Sequence, residues 1–246
     1  FFAYAPYDED AELSANTEAG TPTLNYIVPT TIAGQKDLLV AGAQKNKTGD
    51  IVNFTFKHAL SRIGFGVKLA NGSAVDNQTT IAFSSIELTA DFYPSATLTL
   101  DLVGNNVQWD DEEAATNVIY TLSDTNIKTI ESLSTATTAI NNESSYLMVL
   151  PQDFTTNKMS ITANFSLSTE DDKLAGGEFT ANYEFAGKVA LNLEAGMAYT
   201  IVLVLGKTGD TDGDGDDDDS ILVPVKFAVD VVDWADPNPK DYELPQ

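Results

Sequence analysis

Alternating apolar and polar residues form the most regular pattern along this chain. In segment 63–69, Ile63, Phe65, Val67 and Leu69 fall on one face of an extended chain, and small or charged residues fall on the other. This period of two residues is typical of a half-buried β-strand. Further runs of β-branched and aromatic residues, bounded by Gly, Asn, Asp or Pro, predict strands in the same way. They lie at 52–56, 81–89, 96–102, 146–150, 161–167, 179–185, 199–205 and 221–234.

Helical patterns are weak in this sequence. Segment 57–61 has helical spacing, but it is too short for more than a turn between two strands. Segment 111–145 is polar and rich in Thr, Ser and Asn, so we expect a long irregular excursion there, of the kind that often carries a binding surface. Many short strands without alternating helices predict an all-β fold in which antiparallel sheets pack as a sandwich.

Charge and composition exclude several classes of function. The 246 residues include 37 acidic and 13 basic side chains, and the formal net charge of −24 disfavours binding to nucleic acid. The chain has no cysteine and a single histidine, so a thiolate nucleophile and a Cys/His zinc site are excluded. The longest strongly apolar stretch, 197–205, is too short to cross a bilayer as a helix.

Few side chains remain as candidates for catalysis. His58 lies three residues before Ser61, but without a positioned carboxylate and oxyanion donors this is no triad, and we expect a structural role at the strand connection. A glycosidase remains an alternative, with a carboxylate pair drawn from Glu112, Glu113, Glu170 and Asp171. Acidic clusters in loop-like segments are usually solvated, so we predict that the protein is not an enzyme.

The densest charged feature is segment 210–219, in which seven of ten residues are aspartate. Alternate aspartates with Gly215 at the sixth place resemble the start of an EF-hand calcium loop. The similarity ends at Asp217 and Ile221, where that loop has an apolar residue and a bidentate glutamate. The alternative is a solvated acidic hairpin tip. We therefore predict that the protein requires no cofactor, and calcium is the one cofactor that the sequence suggests. The weak calcium candidate comprises Asp210, Asp212, Asp214, Asp216 and Asp218.

Trp109 and Trp234 are the only tryptophans, and each ends a strand-like run. Rings in such places stack on sugars or close the end of a sandwich core. We favour the core for both. A glycan-binding face formed by Trp109 and segment 111–145 remains the alternative.

Six short segments occur in an order shared with one known family. The most distinctive, residues 54–65, is Phe-Thr-Phe-Lys-His-Ala-Leu-Ser-Arg-Ile-Gly-Phe. The others are Phe-Phe-Ala-Tyr-Ala-Pro at 1–6, Gln-x-Asp-Leu-Leu within 35–41, an apolar run closing on Pro-Gln at 147–152, Gly-x-x-Tyr within 195–201, and a strand ending in Trp at 229–234. In these segments the chain resembles the fimbrillin-like family, the type V pilins and adhesins of Gram-negative gut and oral anaerobes. The resemblance spans nearly the whole chain.

This resemblance implies two transthyretin-like β-sandwich domains in tandem, export as an outer-membrane lipoprotein, and proteolytic maturation before assembly at the cell surface. It implies no catalytic residues. The family's lipidated cysteine, its arginine-containing cleavage site and its first strands are not found before Phe1. We therefore expect a truncated N-terminal domain, with residues 1–48 as its remnant and residues 49–246 as the C-terminal β-sandwich domain.

The resemblance also implies a fimbrial subunit, or a tip or accessory adhesin, that mediates attachment on the extracellular side of the outer membrane. Its partners would be other pilin subunits, self or sibling, and a host or bacterial surface protein or glycan. It would reach the membrane only through a lipid anchor that is absent from this chain. A monomeric cell-surface glycan-binding lipoprotein is the alternative.

Assembly by β-strand complementation has a physical basis that does not depend on the family. A sandwich that lacks an edge strand exposes backbone groups and an apolar groove, and an extended segment of a neighbour can complete both. The candidate donor here is segment 221–234, but we expect it to be the last strand of its own sheet. The tail at 235–246 holds three prolines and is poorly suited to form a strand, which favours a tip or accessory position over a stalk repeat.

Overall fold

The computed structural model of the chain is built almost entirely from β-strands. It describes residues 1–7, 13–14, 22–42, 52–70, 79–101, 106–110, 112–113, 116–142, 145–154, 159–169, 176–185, 191–205, 225–234 and 240–243. These residues form nineteen strands and two short 3-10 helices, the latter at Ile32–Gly34 and Asp124–Asn126. The strands are β1 (Phe2–Ala5), β2 (Leu13–Ser14), β3 (Thr23–Ile27), β4 (Leu39–Gly42), β5 (Lys57–His58), β6 (Ser61–Leu69), β7 (Thr79–Phe92), β8 (Ser95–Asp101), β9 (Asn106–Asp110), β10 (Thr116–Ser123), β11 (Thr138–Ala139), β12 (Leu147–Val149), β13 (Gln152–Asp153), β14 (Met159–Thr169), β15 (Gly177–Glu184), β16 (Asn192–Leu193), β17 (Met197–Leu205), β18 (Val225–Asp233) and β19 (Lys240–Glu243).

One face of the main sandwich is a four-stranded antiparallel sheet with the strand order β10-β7-β14-β15. Along β7 the inward residues alternate with polar ones, but Phe83 and Ile86 are three residues apart instead of two. The β7–β14 register shifts between Asn164 and Phe165, as a β-bulge requires, and this restores the inward direction of the side chains.

The facing sheet has the order β11-β6-β17-β18-β19, and β12 also pairs with β6. Strands β6 and β17 are parallel, so the predicted antiparallel arrangement holds with this one exception. The side chains of Thr137 and Tyr146 lie against the outer face of β6, and glycines make room for them. A Cβ on Gly64 would lie 2.8 Å from the Tyr146 ring, and one on Gly66 would lie 2.7 Å from Thr137 Cγ2. Glycine in a strand is thus used for close approach.

Two separate hydrophobic cores form between these elements. The larger core lies between the two sheets and contains Phe92, Phe154, Phe165 and Phe185, all less than 2 % exposed. The all-β sandwich predicted from the alternating pattern is therefore confirmed, while its transthyretin-like detail stays a prediction.

The smaller core lies between the sheet β2-β3-β8-β9 and the sheet β1-β4-β5. Strand β3 pairs with β8, so residues from both sides of position 48 share this core. The predicted division of the chain into residues 1–48 and 49–246 is not tested by this pairing and stays a prediction.

Two local predictions near residue 57 were wrong. Segment 52–56 forms no strand despite its alternation, and the side chain of Phe56 is 45 % exposed. An alternating pattern alone does not form a strand, since strand formation also depends on packing in the assembled sheet. The expected helical turn at 57–61 is extended instead: Lys57–His58 pairs with β4, and Ser61 begins β6.

Two predictions about irregular segments were also wrong. Segment 111–145 contains β10, which pairs with β7 over eight residues of the main sandwich. The tail beyond Trp234 contains β19, which pairs antiparallel with β18. The four residues of β19 lie between Pro239 and Pro245, at the edge of a sheet where flanking prolines cost no ladder bonds. Segment 225–233 is the next strand inward, β18, paired with β17 along its whole length as expected.

Tyr199 is a buried residue of the larger core, and its titratable hydroxyl makes two hydrogen bonds. Its hydroxyl donates to the Asn192 carbonyl oxygen at 2.7 Å and accepts from the Glu194 N–H at 2.8 Å. Burial raises the pKa of Tyr199 from 10.0 to about 12. The folded state therefore favours the neutral phenol, and this contribution is complete below pH 10 and is lost as the pH rises towards 12.

We expect Tyr199→Phe to lower the free energy of unfolding by about 1–2 kcal/mol, because the Glu194 N–H loses its acceptor. The variant should also lose part of the steep decrease in stability between pH 10 and 12. Urea unfolding at pH 8 and at several values above pH 10 measures both effects. Tyr7→Phe is the matched control, since Tyr7 is 75 % exposed. Equal slopes for wild type and Tyr199→Phe in the alkaline range would contradict this assignment.

Candidate functional site

An apolar surface of the described chain lies beside strand β1. Among the described residues, β1 pairs with β4 on one edge and with no strand on the other. Phe2 and Tyr4 alternate along β1 and pack against the smaller core, so an added strand would lie over the same core.

A groove lies between β1, the end of β3 and the segment that leads into β4, the strand that pairs with the other edge of β1. We call it the β1 groove; its lining residues are Tyr4, Pro6, Tyr26, Pro29, Gly34, Lys36 and Leu38. Tyr26 and Leu38 form a buried apolar floor. Large apolar side chains are exposed in the same elements: Phe1 precedes β1, Tyr7 follows Pro6, and Ile27 ends β3. The edge and groove together form a surface that can accept an extended apolar segment.

A second feature connects the two cores. The chain leaves the smaller core at Leu60 and enters the larger core at Ile63, and the side chains around this point form a stack. We call the stack the aromatic ladder; its members are Asp37, His58, Trp234, Arg62 and Tyr146.

The geometry of the aromatic ladder is close throughout. His58 Nδ1 lies 2.8 and 3.0 Å from the two carboxylate oxygens of Asp37, which accept a hydrogen bond from its N–H. The imidazole stacks on the Trp234 indole with ring centroids 4.0 Å apart and planes 8° apart. The Arg62 guanidinium carbon lies 4.9 Å from the centre of the Trp234 ring and 4.5 Å from that of Tyr146. Each cation–π contact of this kind is worth about 0.5–1 kcal/mol at an exposed site.

Backbone contacts fasten the same junction. The Gly196 N–H donates to the Leu60 carbonyl at 2.9 Å, and the Trp234 N–H donates to the Gly196 carbonyl at 2.9 Å. Ser61 Oγ donates to the Glu194 carbonyl at 2.9 Å. Gly196 has a φ of +76°, and a Cβ there would approach the His58 carbonyl at 3.5 Å, so the turn before β17 favours glycine.

Two glutamines from the family-like segments form side-chain hydrogen bonds with backbone groups that the strand pairing leaves without a partner. Gln35 accepts from the Met148 N–H at 2.7 Å and donates to the Pro29 carbonyl at 3.0 Å. Gln152, which is 5 % exposed, donates to the Asp91 carbonyl at 2.5 Å and accepts from the Tyr93 N–H at 3.2 Å. These amides hold the connections between the two cores.

Gln35 also touches a titratable group of the larger core. Burial raises the pKa of Tyr120, and a hydrogen bond with the Gln35 side chain lowers it in part. The phenol thus stays neutral and serves the packing beside Phe92, with which it makes an edge-to-face contact at 5.3 Å.

The residues predicted as sites from the sequence have different outcomes. His58 and Trp234 have structural places in the aromatic ladder. Trp109 packs against the smaller core and donates its indole N–H to the Ala59 carbonyl at 2.9 Å, which agrees with a core role. The carboxylate of Glu113 accepts a hydrogen bond from Ser95 Oγ at 2.9 Å on the exposed surface.

The calcium candidate, Asp210, Asp212, Asp214, Asp216 and Asp218, lies outside the described residues and stays a prediction. Glu170 and Asp171 lie outside them as well. Within the described ranges, no group of three or more His, Cys, Asp or Glu side chains could hold a metal ion. No helix in those ranges is long and apolar enough to cross a membrane.

Sequence reasoning missed three members of the site: Asp37, Tyr146 and the groove residue Lys36. Asp37 and Lys36 lie within the family-like segment at 35–41, and Tyr146 immediately precedes the one at 147–152. The signal that could have found them is the clustering of family-like segments around one place.

The described residues thus form a two-core β-sandwich with a structural stack at the junction of its cores. The chain belongs to the fimbrillin-like family, whose sequence model matches residues 1–234. Membership gives it a fimbrial, cell-surface role and confirms that it is a structural protein and not an enzyme.

A solved structure shows a similar fold. A fimbrial protein from Bacteroides vulgatus matches with a TM-score of 0.59 at 21% identity, covering 95% of this chain and 77% of that one. A candidate cell adhesion protein from Bacteroides uniformis matches with a TM-score of 0.47 at 19% identity, covering 95% and 72%. A second candidate, from Bacteroides ovatus, matches with 0.46 at 15% identity, covering 96% and 68%. No curated protein matches the sequence.

Proposed function

We propose that the chain is a subunit of a type V pilus, as a shaft component or a tip or accessory adhesin that mediates attachment, and that it joins its neighbours by β-strand complementation. The observation that carries the proposal is the edge of β1 that pairs with no strand of the described residues, next to apolar side chains of the smaller core. An extended segment laid along β1 would gain backbone hydrogen bonds from the edge and bury alternate apolar side chains over the smaller core.

A second sheet edge of the molecule supports the same mode of association. There the short strand β19 adds to the edge of β18 with four residue pairs, although prolines flank it in the sequence. Four residues are therefore enough to extend a sheet of this chain. The Bacteroides vulgatus structure of similar fold is itself a fimbrial protein, in keeping with this proposal.

The proposal also defines partners and location. The partners are other pilin subunits, either copies of this chain or siblings, and a surface protein or glycan of a host or bacterial cell. The location is the extracellular side of the outer membrane, with any lipid anchor supplied outside the 246 residues. The net charge of −24 makes neighbouring subunits repel at long range, so short-range strand pairing has to provide the attraction.

Immunogold electron microscopy of intact producing cells tests this role. We expect gold along filaments or at filament ends. Cells that produce Tyr4→Asp should lose labelled filaments, because a carboxylate in the β1 groove opposes the burial of an apolar strand. Cells that produce Ile119→Asp should keep them, because Ile119 is exposed on β10 of the main sandwich and does not line the β1 groove.

Two results would overturn the proposal. Gold scattered over a bare membrane with wild-type protein would favour a monomeric glycan-binding lipoprotein. Filaments that persist with Tyr4→Asp, at normal surface amounts and with a folded circular dichroism spectrum, would remove the β1 groove from assembly.

A further inference from the structure

Arg62 is the only arginine of the chain, and it lies within the aromatic ladder. Its guanidinium carbon lies over the Trp234 ring at 4.9 Å and over the Tyr146 ring at 4.5 Å. With the residues that the structure describes, this guanidinium forms no ion pair and no hydrogen bond. In a chain with 37 acidic residues, its five N–H donors therefore stay available for another molecule.

Three other residues of the aromatic ladder carry a polar group with the same property. The Trp234 indole N–H, the Tyr146 hydroxyl and His58 Nε2 form no hydrogen bond with any described residue. Buried indole N–H and phenol O–H groups usually have a partner. All four side chains are half-buried, and none of these polar groups is fully enclosed, so each of them can be reached from solvent.

Stacking fixes the direction in which these groups point. The His58 and Trp234 rings are 4.0 Å apart with planes 8° apart, and Arg62 lies over the Trp234 ring in turn. The N–H bonds of imidazole, indole and guanidinium lie in the plane of each group, so stacking covers the faces and leaves the polar edges. Side chains that are held in this way lose little rotamer freedom when they bind a ligand.

We infer that the exposed edge of the aromatic ladder binds an acidic sugar, a uronic or sialic acid residue of a surface glycan, and that Arg62 binds its carboxylate. The planar guanidinium can donate two parallel hydrogen bonds to a carboxylate. Trp234 and Tyr146 can donate to further oxygen atoms of the same ligand. The inference rests on the proposed role in attachment, to which it adds a ligand class, and it does not involve strand complementation at β1.

Two observations favour a sugar over an acidic peptide. The Asp37 carboxylate accepts from His58 Nδ1, so Nε2 of the neutral ring is an acceptor that a ligand hydroxyl can satisfy. A sugar acid carries hydroxyl groups beside its carboxylate, whereas an ionised Asp or Glu side chain offers acceptors alone. In addition, the net charge of −24 repels peptides with several carboxylates more strongly than a sugar residue with one.

Proton–nitrogen NMR of the full chain tests the inference, because the chain has only two indole N–H groups. The Trp109 N–H donates to the Ala59 carbonyl and is the internal control for Trp234. The probes are the methyl glycosides of glucuronic acid and of N-acetylneuraminic acid, with methyl glucoside as the neutral match of the glucuronide and N-acetylglutamate α-amide as the peptide-like acid.

We expect at least one acidic sugar to shift the Trp234 signal and to leave the Trp109 signal in place. Its affinity should be at least about ten-fold higher than that of methyl glucoside, the order expected for a charge-assisted hydrogen bond. Binding of only one of the two acidic sugars would identify the kind of glycan.

Variants assign the carboxylate to Arg62. Arg62→Gln should lower the affinity for the acidic sugar to that of methyl glucoside. Lys68→Gln is the matched control and should leave the affinity unchanged, because Lys68 lies six residues further along the same face of β6 and its loss removes the same charge. Tyr146→Phe keeps the ring beside the guanidinium, so it should weaken binding of both sugars and retain the preference for the acid. Circular dichroism shows whether each variant is folded.

The outcomes separate this inference from the proposed function. If neither acidic sugar shifts the Trp234 signal, or if the preference for the acid survives Arg62→Gln, the inference is wrong and pilus assembly through β1 stands. If N-acetylglutamate α-amide binds as tightly as the sugars, the site takes acidic peptides and the assignment to a sugar is wrong. A failure of the proposed function is seen in the absence of labelled filaments, which the sugar titration does not measure.

Discussion

Trp234→Ala is expected to lower the free energy of unfolding by about 2–4 kcal/mol. The indole carries both the stacked imidazole of His58 and the guanidinium of Arg62, so its removal breaks the middle of the aromatic ladder. In this variant His58 keeps its hydrogen bond with Asp37 but loses its stacking partner, and Arg62 keeps only its cation–π contact with Tyr146. Chemical denaturation measures the loss.

The loss should not be uniform over the molecule. The aromatic ladder joins Asp37 and His58, beside the smaller core, to Arg62 and Trp234, at the ends of β6 and β18. Hydrogen exchange of Trp234→Ala should therefore increase most in β4 and β5, while β7 and β14 at the centre of the larger core keep their protection. Trp234→Phe retains a ring for His58 and should show about half of the effect. A uniform increase, or none, would show that the ladder does not couple the two cores.

The strands of the main sandwich could be predicted because their signal is local. Burial on one face imposes a period of two residues, and β6, β7, β14 and β17 all follow it within their own sequence. The one break in β7 corresponds to the bulge opposite Asn164, which the pattern itself records as a three-residue spacing.

The failures have the opposite cause, since they depend on distant partners. Segment 52–56 has a strand pattern but forms no strand, whereas β19 has a poor pattern but pairs with β18. Strand β10 looked irregular because its alternation is short and polar, and it is held by its pairing with β7. Pairing of this kind is a property of the assembled sheet and not of the segment.

The candidate site was predictable only in part for the same reason. Family-like segments indicated which residues matter, but not that Asp37, His58 and Trp234 meet in one stack, because they lie in three distant parts of the chain. The β1 groove exists only where β1, β3 and the segment before β4 come together. The calcium candidate at 210–219 stays a prediction from the sequence, because it lies outside the described residues.

Asn141→Ala is expected to lower the free energy of unfolding by about 2–4 kcal/mol, although Asn141 lies in no named strand. Strands β11 and β12 pair with β6 at Gly66–Val67 and at Ser61–Ile63, which leaves an interval between them. The Asn141 side chain occupies this interval: its oxygen accepts from the Phe65 N–H at 2.5 Å, and its amide nitrogen donates to the Ser145 carbonyl. Alanine would leave both backbone groups buried without a partner.

Asn142→Ala is the matched control, because the neighbouring amide donates to the Thr125 carbonyl on the exposed side of the same segment. We expect it to cost less than about 1 kcal/mol, since water can replace that bond. Equal losses for the two variants in urea unfolding would contradict the proposed role of Asn141.

A double-mutant cycle then connects this bond to the aromatic ladder. Asn141 fixes the segment that carries Tyr146, and Tyr146 supports the guanidinium of Arg62. Once Asn141→Ala has loosened that support, removal of Trp234 has less structure left to disrupt. The two substitutions should therefore destabilise the protein by less than the sum of their separate effects, with a coupling of about 0.5 kcal/mol or more. Strict additivity would mean that Tyr146 holds its place without Asn141, and that the hydrogen bonds of Asn141 are independent of the aromatic ladder.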